Sequence, residues 1–228
     1  MRIEELAAFL REFRQHFHET GAITPSSRSL ARALVRGFRE GSPGHGRRLL
    51  EVGPGTGALT REILRWLRPG DRLDLCEANE NFVSFLSRRL EEDPEFRDRR
   101  GQIRIHKMRI EDLDPETRYD HIVSGLPLNN FSPEAVDQIL SHLLSILVPG
   151  GTLSYFEYVG VRSLGRVFAG PGARKRLKGV DRVMRRYRIR HETESEVVLG
   201  NLPPARALTL RRDRGEGESA QTCRVRKE

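Results

Sequence analysis

The sequence predicts an α/β fold in which a parallel sheet is covered by helices on both faces. From Arg47 onward, short apolar runs typical of buried strands alternate with segments whose apolar residues have helical spacing. A glycine-rich turn joins the first of these strands directly to a helix, as in nucleotide-binding α/β proteins. At 228 residues the chain is long enough for one substantial core. We therefore expect one domain with appendages.

An N-terminal helical segment, residues 1–42, is expected to precede this domain. An amphipathic helix is predicted over residues 3–19, where five apolar residues share one stripe: Ile3, Leu6, Leu10, Phe13 and Phe17. Ser26 or Ser27 can cap a second helix, whose apolar residues are Leu30, Leu34 and Phe38. The breaker-rich stretch GSPGHG at 41–46 is expected to end it.

The main domain is predicted over residues 43–212. Strands are expected at 47–52, 71–77, 102–107, 119–125 and 151–158, and helices at 58–67, 80–91 and 133–147. The turn VPGG at 148–151 introduces the fifth strand, and residues 195–199 and 205–212 are predicted to form a terminal antiparallel pair. Residues 213–228 are charged and nearly free of large apolar groups, which predicts a disordered tail.

The charge of the chain is concentrated in one insertion of the main domain, residues 162–190. The whole chain carries a net charge of +8, yet this insertion alone holds eleven Arg and Lys residues against one acid, Asp181. Such a concentration indicates a polyanionic partner, either a phosphate backbone or an anionic lipid surface. Arg174, Lys175 and Arg176 are adjacent candidates for that contact. Leu177, Val180, Met184 and Tyr187 mark an apolar face of the same segment.

Several classes of protein are disfavoured by composition. No run of 18 or more apolar residues occurs, and the N-terminus lacks the form of a secretory signal, so we expect a cytoplasmic, non-spanning protein. Cys76 and Cys223 provide neither metal-binding spacing nor a disulfide framework. We therefore expect no metal site.

The stretch EVGPGTG, residues 51–57, carries the sharpest chemical signal. Its glycines permit a tight turn and a close approach of ligand to backbone. Glu77 ends the second strand twenty residues later, where a carboxylate can accept two ribose hydroxyls. Ala58 occupies the position of the third glycine in a dinucleotide-binding motif, which weakens the interpretation that the loop binds a nicotinamide dinucleotide. Glu51 suits a cationic ligand better than a pyrophosphate.

These residues carry a resemblance to a known family. EVGPGTG, Glu77 and SGLPL resemble motifs of the class I S-adenosylmethionine-dependent methyltransferases. Within that class, GAITPSSRSLARAL, SGLPLNNF and NLPPA together are similar to bacterial phospholipid N-methyltransferases, over about residues 20–212. The resemblance implies a Rossmann-like seven-stranded sheet and methyl transfer from S-adenosylmethionine to phosphatidylethanolamine and its mono- and dimethyl products, towards phosphatidylcholine. It also implies a monomer bound peripherally to the inner face of the cell membrane, with the N-terminal helices covering the active site.

The resemblance assigns the cofactor residues. The glycine loop and its supports, the ribose acid and the residues beside the methyl donor are Thr24, Ser26, Glu51, Gly53, Gly55, Thr56, Gly57, Glu77, Ala78, Ser124, Gly125 and Leu126. Many relatives have an Asp after the third strand that contacts the adenine amino group. Arg109 stands near that position here, and Glu111 or Asp112 is expected to take over its role.

The stretch SGLPLNNF, residues 124–131, is predicted to form the acceptor site. Base-modifying methyltransferases place an aromatic side chain after Leu-Pro or Pro-Pro, whereas Leu128 occupies that position here. An ethanolamine amine is instead expected to be oriented by Asn129 or Asn130 and lined by Pro127, with the methylated ammonium surrounded by Phe131, Tyr155 and Tyr158. We interpret Asn129, Asn130 and Tyr158 as the catalytic candidates. Alternatively, Asn130 caps the following helix, and Phe131 and Tyr155 pack in the core.

Other functions remain open at this stage. Adenine N6-methyltransferases of ribosomal RNA share the glycine loop, but the chain lacks an obvious C-terminal RNA-binding domain after residue 212. Another amine lipid, such as an ornithine lipid, is also compatible with the acceptor stretch. A catalytically silent module that binds RNA or membrane is the alternative from a different class, although nucleic acid is the less favoured partner.

Overall fold

A seven-stranded sheet is the centre of the structure, a computed structural model that describes residues 25–40, 46–159, 171–201 and 204–214. The strands are β1 (Arg48–Val52), β2 (Arg72–Glu77), β3 (Ile103–Lys107), β4 (Tyr119–Ser124), β5 (Leu147–Tyr158), β6 (Glu192–Val198) and β7 (Ala205–Arg211). Their order is β3-β2-β1-β4-β5-β7-β6, with β1 to β5 parallel and β7 antiparallel to both β5 and β6. This confirms the α/β methyltransferase-type sheet and the terminal antiparallel pair.

Helices cover both faces of the sheet in the described ranges. They are α1 (Pro25–Leu34), α2 (Arg36–Glu40), α3 (Ala58–Leu64), α4 (Glu80–Glu92), α5 (Pro94–Arg97), α6 (Pro133–Ser145) and α7 (Pro171–His191). One core contains Ile139 and Leu143 of α6 and Val180 and Met184 of α7. The other contains residues of α1 to α5, which include Leu30, Phe38, Ile63, Leu90 and Phe96. The apolar stripe of each helix therefore packs it against one face of the sheet.

The described part of the N-terminal segment packs on the sheet. Phe38 is 2% exposed, and Arg47, at the start of β1, donates from Nη1 to the Phe38 carbonyl oxygen at 2.6 Å. Arg47 also forms a buried ion pair with Asp71 at 2.6 Å. Ser26 and Ser27 lie inside the first turn of α1, which begins at Pro25, and do not precede it. The predicted helix over 3–19 lies outside the described residues, so covering of the active site stays a prediction.

The start of β5 differs from the prediction. The strand begins at Leu147, so the stretch VPGG lies within it and not before it. Tyr119 and His121 of β4 pair with Leu147 and Thr152 of β5, so the register shifts there and the extra residues lie on β5. Gly150 has a φ of 79°, and its amide donates to the Arg212 carbonyl oxygen at 2.9 Å. Gly150 and Gly151 therefore belong to a continuous strand, because their backbone groups form hydrogen bonds with Arg212.

The basic insertion contains the long helix α7, whose apolar face packs inward. Val180 and Met184 are buried, and the Tyr187 hydroxyl donates to Asp137 of α6 at 2.6 Å. The helix begins beside the loop after β4, passes α6 and leads into β6. Val180 and Met184 are therefore part of the core, and the charged face of α7 is available to a partner.

Candidate functional site

The carboxyl ends of the parallel strands bring the predicted cofactor residues together. Open α/β sheets bind their ligands at this edge. The loop after β1 carries left-handed glycines, with φ of 69° at Gly53, 55° at Gly55 and 78° at Gly57. Its amides are tied down, since Gly53 N–H donates to the Cys76 carbonyl oxygen at 3.0 Å. A Cβ at Gly55 would meet nothing within 4 Å, so the loop faces open space there.

The Glu77 carboxylate closes one side of this loop. Its Oε2 accepts from the Gly55 amide at 3.1 Å, and its Oε1 accepts from the Asn79 amide at 2.8 Å. Burial raises the pKa of Glu77, and the amide hydrogen bonds oppose that rise. Each oxygen still has a free acceptor lone pair. The carboxylate can therefore hold the loop and accept ligand hydroxyls together.

Glu51, at the end of β1, is fully buried at 0% exposure. Neither of its carboxylate oxygens makes a well-formed hydrogen bond within the part of the chain that the structure describes. The pKa of Glu51 is raised from 4.5 to about 8; burial is the main cause, the neighbouring Thr60 opposes the rise, and the nearby Glu77 adds to it. A neutral acid of this kind becomes a stable carboxylate when a cation lies beside it.

The glycine loop and the end of β4 touch each other. A Cβ at Gly125 would lie 2.7 Å from the Gly53 carbonyl oxygen, and one at Gly53 would lie 2.8 Å from Leu126 Cδ2. The Gly125 amide donates to the Val52 carbonyl oxygen at 2.8 Å, and Ser124 Oγ accepts from the Leu126 amide at 3.3 Å. The cofactor loop and the acceptor stretch therefore form one continuous wall, while the contact of Ser124 to Leu126 with the methyl donor stays a prediction.

The acceptor stretch forms a 3₁₀ turn over Leu128–Asn130. Leu128 is 2% exposed and lies in the core. Asn129 Oδ1 is buried and has no hydrogen-bond partner among the described residues. The backbone carbonyl oxygen of Asn130 accepts from Arg176 Nη1 at 2.7 Å. Ser132, and not Asn130, caps α6, because its Oγ accepts from the Ala135 amide at 3.2 Å.

The three predicted aromatic residues divide between the two cores of the sheet. Phe131 is partly buried against the core that contains α6. Tyr155 is 0% exposed in the same core, three residues before the end of β5. Tyr158 packs with the opposite core and makes an edge contact with the Phe156 ring, at 5.2 Å between centroids. Burial raises the pKa of Tyr158. The predicted roles of Phe131, Tyr155 and Tyr158 around the acceptor stay predictions.

Arg109, Glu111 and Asp112 lie after β3, where the predicted contact with the adenine amino group stays a prediction. Arg109 donates from Nη2 to Glu111 Oε1 at 2.8 Å, and this guanidinium helps to hold the pKa of Glu111 below its usual value against the effect of burial. Asp112 is exposed beside it in a 3₁₀ turn. Thr24 lies outside the described residues, as does the side chain of Ser26. Their cofactor roles stay predictions.

Two supporting arginines were missed by sequence reasoning. Arg89 of α4 donates from Nη1 to the Thr56 carbonyl oxygen at 2.8 Å and stacks over the Phe96 ring at 4.3 Å. Arg176 was predicted as a surface residue but is turned toward Asn130. No sequence signal distinguishes either from the other arginines of its helix.

Within the described ranges, no helix is long and apolar enough to cross a membrane. The same ranges contain no group of three or more His, Cys, Asp or Glu side chains that could bind a metal ion.

Comparison with known proteins finds similarity to methyltransferases. A family model described as a methyltransferase domain matches residues 49–151. An ornithine lipid N-methyltransferase of Singulisphaera acidiphila is 28% identical over 153 residues, which cover 67% of this chain and 77% of that protein. Ribosomal RNA small subunit methyltransferase A of Pseudomonas syringae is 33% identical over 97 residues, covering 42% of this chain and 32% of that protein.

The fold has solved counterparts. The 1,6-didemethyltoxoflavin-N1-methyltransferase of Burkholderia thailandensis, solved with S-adenosylhomocysteine, has a TM-score of 0.59 and 19% identity. The match covers 93% of this chain and 91% of that one. At this identity the likeness shows the fold alone.

The residues at the sheet edge fit S-adenosylmethionine as a cofactor. The buried Glu51 carboxyl, which makes no well-formed hydrogen bond with the described residues, suits a cationic ligand. The Glu77 carboxylate can accept ribose hydroxyls, and the loop at Gly55 is open to a close approach. When bound, this cofactor supplies a methyl group that is already electrophilic. The chain therefore needs to bind and orient the acceptor and to exclude water from it.

Proposed function

We propose that this class I S-adenosylmethionine-dependent methyltransferase methylates the amine of phosphatidylethanolamine, and then its mono- and dimethyl products, at an anionic membrane surface. The observation that carries the proposal is the buried, unpartnered Asn129 Oδ1 on the turn that continues the cofactor wall. An unsatisfied buried carbonyl oxygen is costly, so it is a natural acceptor for an N–H donor from a ligand. A small amine meets that need.

The chain's contribution to the reaction is orientation and desolvation. An ethanolamine amine has a pKa near 10, so its neutral, nucleophilic form must be favoured by removal from water. Asn129 is neutral, and its Oδ1 accepts an N–H of the primary or monomethyl amine, which directs the amine lone pair without taking its proton. The partly buried Phe131 provides an apolar wall for the methylated ammonium. The neutral dimethyl amine has no N–H to donate, so this apolar wall positions it for the last transfer.

The exposed face of α7 fits an anionic lipid surface. Four residues form a stripe at helical spacing, which we call the basic stripe: Lys175, Lys178, Arg182 and Arg185. All four are exposed, and none forms an ion pair with a described residue. Near an anionic bilayer each contributes roughly 1 kcal/mol to binding. Because α7 begins beside the acceptor turn, a bilayer on the stripe lies close to the site.

An ornithine lipid is the second candidate acceptor, and the Singulisphaera acidiphila relative favours it. Its free amine makes the same demands on Asn129. Adenine in ribosomal RNA is less well served. The position that would stack on a flat base is Leu128, which is 2% exposed and packs in the core.

The first prediction concerns lipids of a bacterial host that lacks phosphatidylcholine. Expression of the wild-type protein is expected to produce mono-, di- and trimethylated phosphatidylethanolamine, detected by mass spectrometry of extracted lipids. Asn129→Leu is expected to lower the methylated fraction roughly tenfold or more, because the amine loses its acceptor. Asn129→Asp restores an acceptor oxygen and serves as the matched variant. Unmethylated phosphatidylethanolamine alone, with the wild-type protein folded and bound to cofactor, would contradict the proposed acceptor, and methylated ornithine lipid would replace it.

The second prediction concerns membrane binding. Changing all four residues of the basic stripe to Glu is expected to weaken co-sedimentation with vesicles rich in phosphatidylglycerol by about 4 kcal/mol, on the order of a thousandfold. The matched control changes to Glu four exposed arginines outside α7, which lie on β2, α4, α5 and β3: Arg72, Arg88, Arg97 and Arg104. This control has the same charge and is expected to sediment far better. Equal sedimentation of both variants, or wild-type binding to RNA but not to vesicles, would contradict a lipid partner.

A further inference from the structure

Arg176 differs from its basic neighbours on α7 in where its side chain lies. Its Nη1 donates to the Asn130 carbonyl oxygen at 2.7 Å, across 46 positions of the sequence. Lys175 and Lys178 are exposed and have no ion-pair partner in the described ranges. Arg176 is partly buried. Arg176 of α7 is therefore hydrogen-bonded to the backbone of the acceptor turn.

The start of α7 is fixed tightly against the start of α6. A Cβ at Gly179 would lie 2.5 Å from Pro133 Cγ, so no larger residue fits there without displacing one helix. Val180, the next residue, is 1% exposed. The close approach of Gly179 places Arg176, one turn earlier, within reach of the acceptor turn. The hydrogen bond from Arg176 to Asn130 therefore depends on the packing of α7 against α6.

Apart from the apolar packing of Leu128 and Phe131, the acceptor turn is held mainly by local hydrogen bonds. Its backbone is closed by three local hydrogen bonds, from the amides of Leu128, Asn130 and Phe131 to carbonyl oxygens two or three residues earlier. Turns of this 3₁₀ type have poorer hydrogen-bond geometry than an α-helix. A charge-assisted bond from a guanidinium is about twice as strong as a neutral one. The Arg176 bond is thus a main restraint on the segment that carries Asn129.

We propose that Arg176 is a positioning residue, which holds the 128–131 turn so that Asn129 Oδ1 points at the acceptor amine. The consequence for turnover rests on the proposed function, whereas the restraint on the turn does not. Arg176 touches neither cofactor nor acceptor in this role. In this proposal α7 has two functions: its basic stripe contacts the membrane, and its Arg176 contacts the acceptor turn.

The test compares Arg176→Gln with Arg190→Gln. Arg190 is exposed on the same helix, outside the basic stripe and without an ion-pair partner in the described ranges, so its change removes the same charge. Amide hydrogen exchange of Leu128, Asn130 and Phe131 is expected to quicken roughly tenfold in Arg176→Gln and to stay unchanged in Arg190→Gln. Arg176→Lys keeps a donor and a charge, and is expected to restore part of the protection.

Turnover on phosphatidylethanolamine vesicles supplies the second readout. Arg176→Gln is expected to lower kcat roughly tenfold with the KM for S-adenosylmethionine unchanged, since the cofactor loop is untouched. Gly179→Ala is also expected to lower kcat with the KM for S-adenosylmethionine unchanged, although it alters no charge. Unchanged exchange in Arg176→Gln, or quicker exchange with unchanged kcat, would overturn the inference. If the wild-type protein methylates no lipid, the proposed function fails, while quicker exchange still supports the restraint by Arg176.

Discussion

The wild-type protein without cofactor is expected to lose stability, relative to a Glu51→Gln variant, as the pH rises from about 5 to about 8. The Glu51 carboxyl is fully buried, and neither oxygen makes a well-formed hydrogen bond within the described residues. Burial raises its pKa from 4.5 to about 8. Ionisation in this setting exposes a charge to a medium that solvates it poorly.

The direction follows from proton binding in the two states. Below pH 4.5 the carboxyl is protonated in both the folded and the unfolded chain, and the raised pKa costs nothing. Between pH 4.5 and about 8 the unfolded chain has released the proton that Glu51 still holds in the folded chain. The free energy of unfolding therefore falls by roughly 1.4 kcal/mol per pH unit. The full loss approaches about 5 kcal/mol and is complete above pH 8.

Chemical denaturation at several pH values measures this effect as the difference between the two proteins. Glu92→Gln, an exposed change on α4, removes a surface carboxylate and is expected to follow the wild-type curve. Saturating S-adenosylmethionine is expected to flatten the wild-type slope, because a carboxylate beside a bound cation is stabilised. Parallel curves for wild type and Glu51→Gln across this range would show that Glu51 is not held as a neutral acid.

The strands and the cofactor loop could be predicted from sequence because their signals are local. A buried strand is a short apolar run, and β1, β2 and β4 begin and end within one residue of the predictions. The glycine loop lies directly between β1 and α3, so its position follows from those elements. The Glu77 carboxylate, at the end of the neighbouring strand, then has to face the loop. Parallel strands place all these residues at one edge.

The side chains that depend on packing between distant segments could not be predicted. Tyr155 lies on a strand covered on both faces, where sequence gives no sign of which side leads to the site. Arg176 is one of eleven similar cations in its segment, and its direction depends on the contact of Gly179 with Pro133. The raised pKa of Glu51 likewise depends on its surroundings, because Thr60 and Glu77, which belong to other elements, both act on this carboxyl.

Glu77→Ala is expected to weaken S-adenosylmethionine binding by a hundredfold or more. The substitution removes both hydrogen bonds that tie the carboxylate to the Gly55 and Asn79 amides, and it removes the acceptor for the ribose hydroxyls. A hydrogen bond to a charged group contributes roughly 1.5–3 kcal/mol. Two such losses on the ligand side alone amount to at least about a hundredfold in the dissociation constant. Isothermal titration calorimetry measures this directly.

Glu77→Gln is not a conservative change at this position. Both carboxylate oxygens accept from backbone N–H groups, so one end of a Gln amide would place an NH₂ donor against an N–H donor. We therefore expect Gln to weaken binding nearly as much as Ala. Glu80→Ala is the control, because Glu80 lies on the next helix, is exposed and pairs with Lys107. Cofactor affinity that is equal in wild type and Glu77→Ala would contradict the site, whereas selective loss would separate an enzyme from a silent module that keeps only the fold.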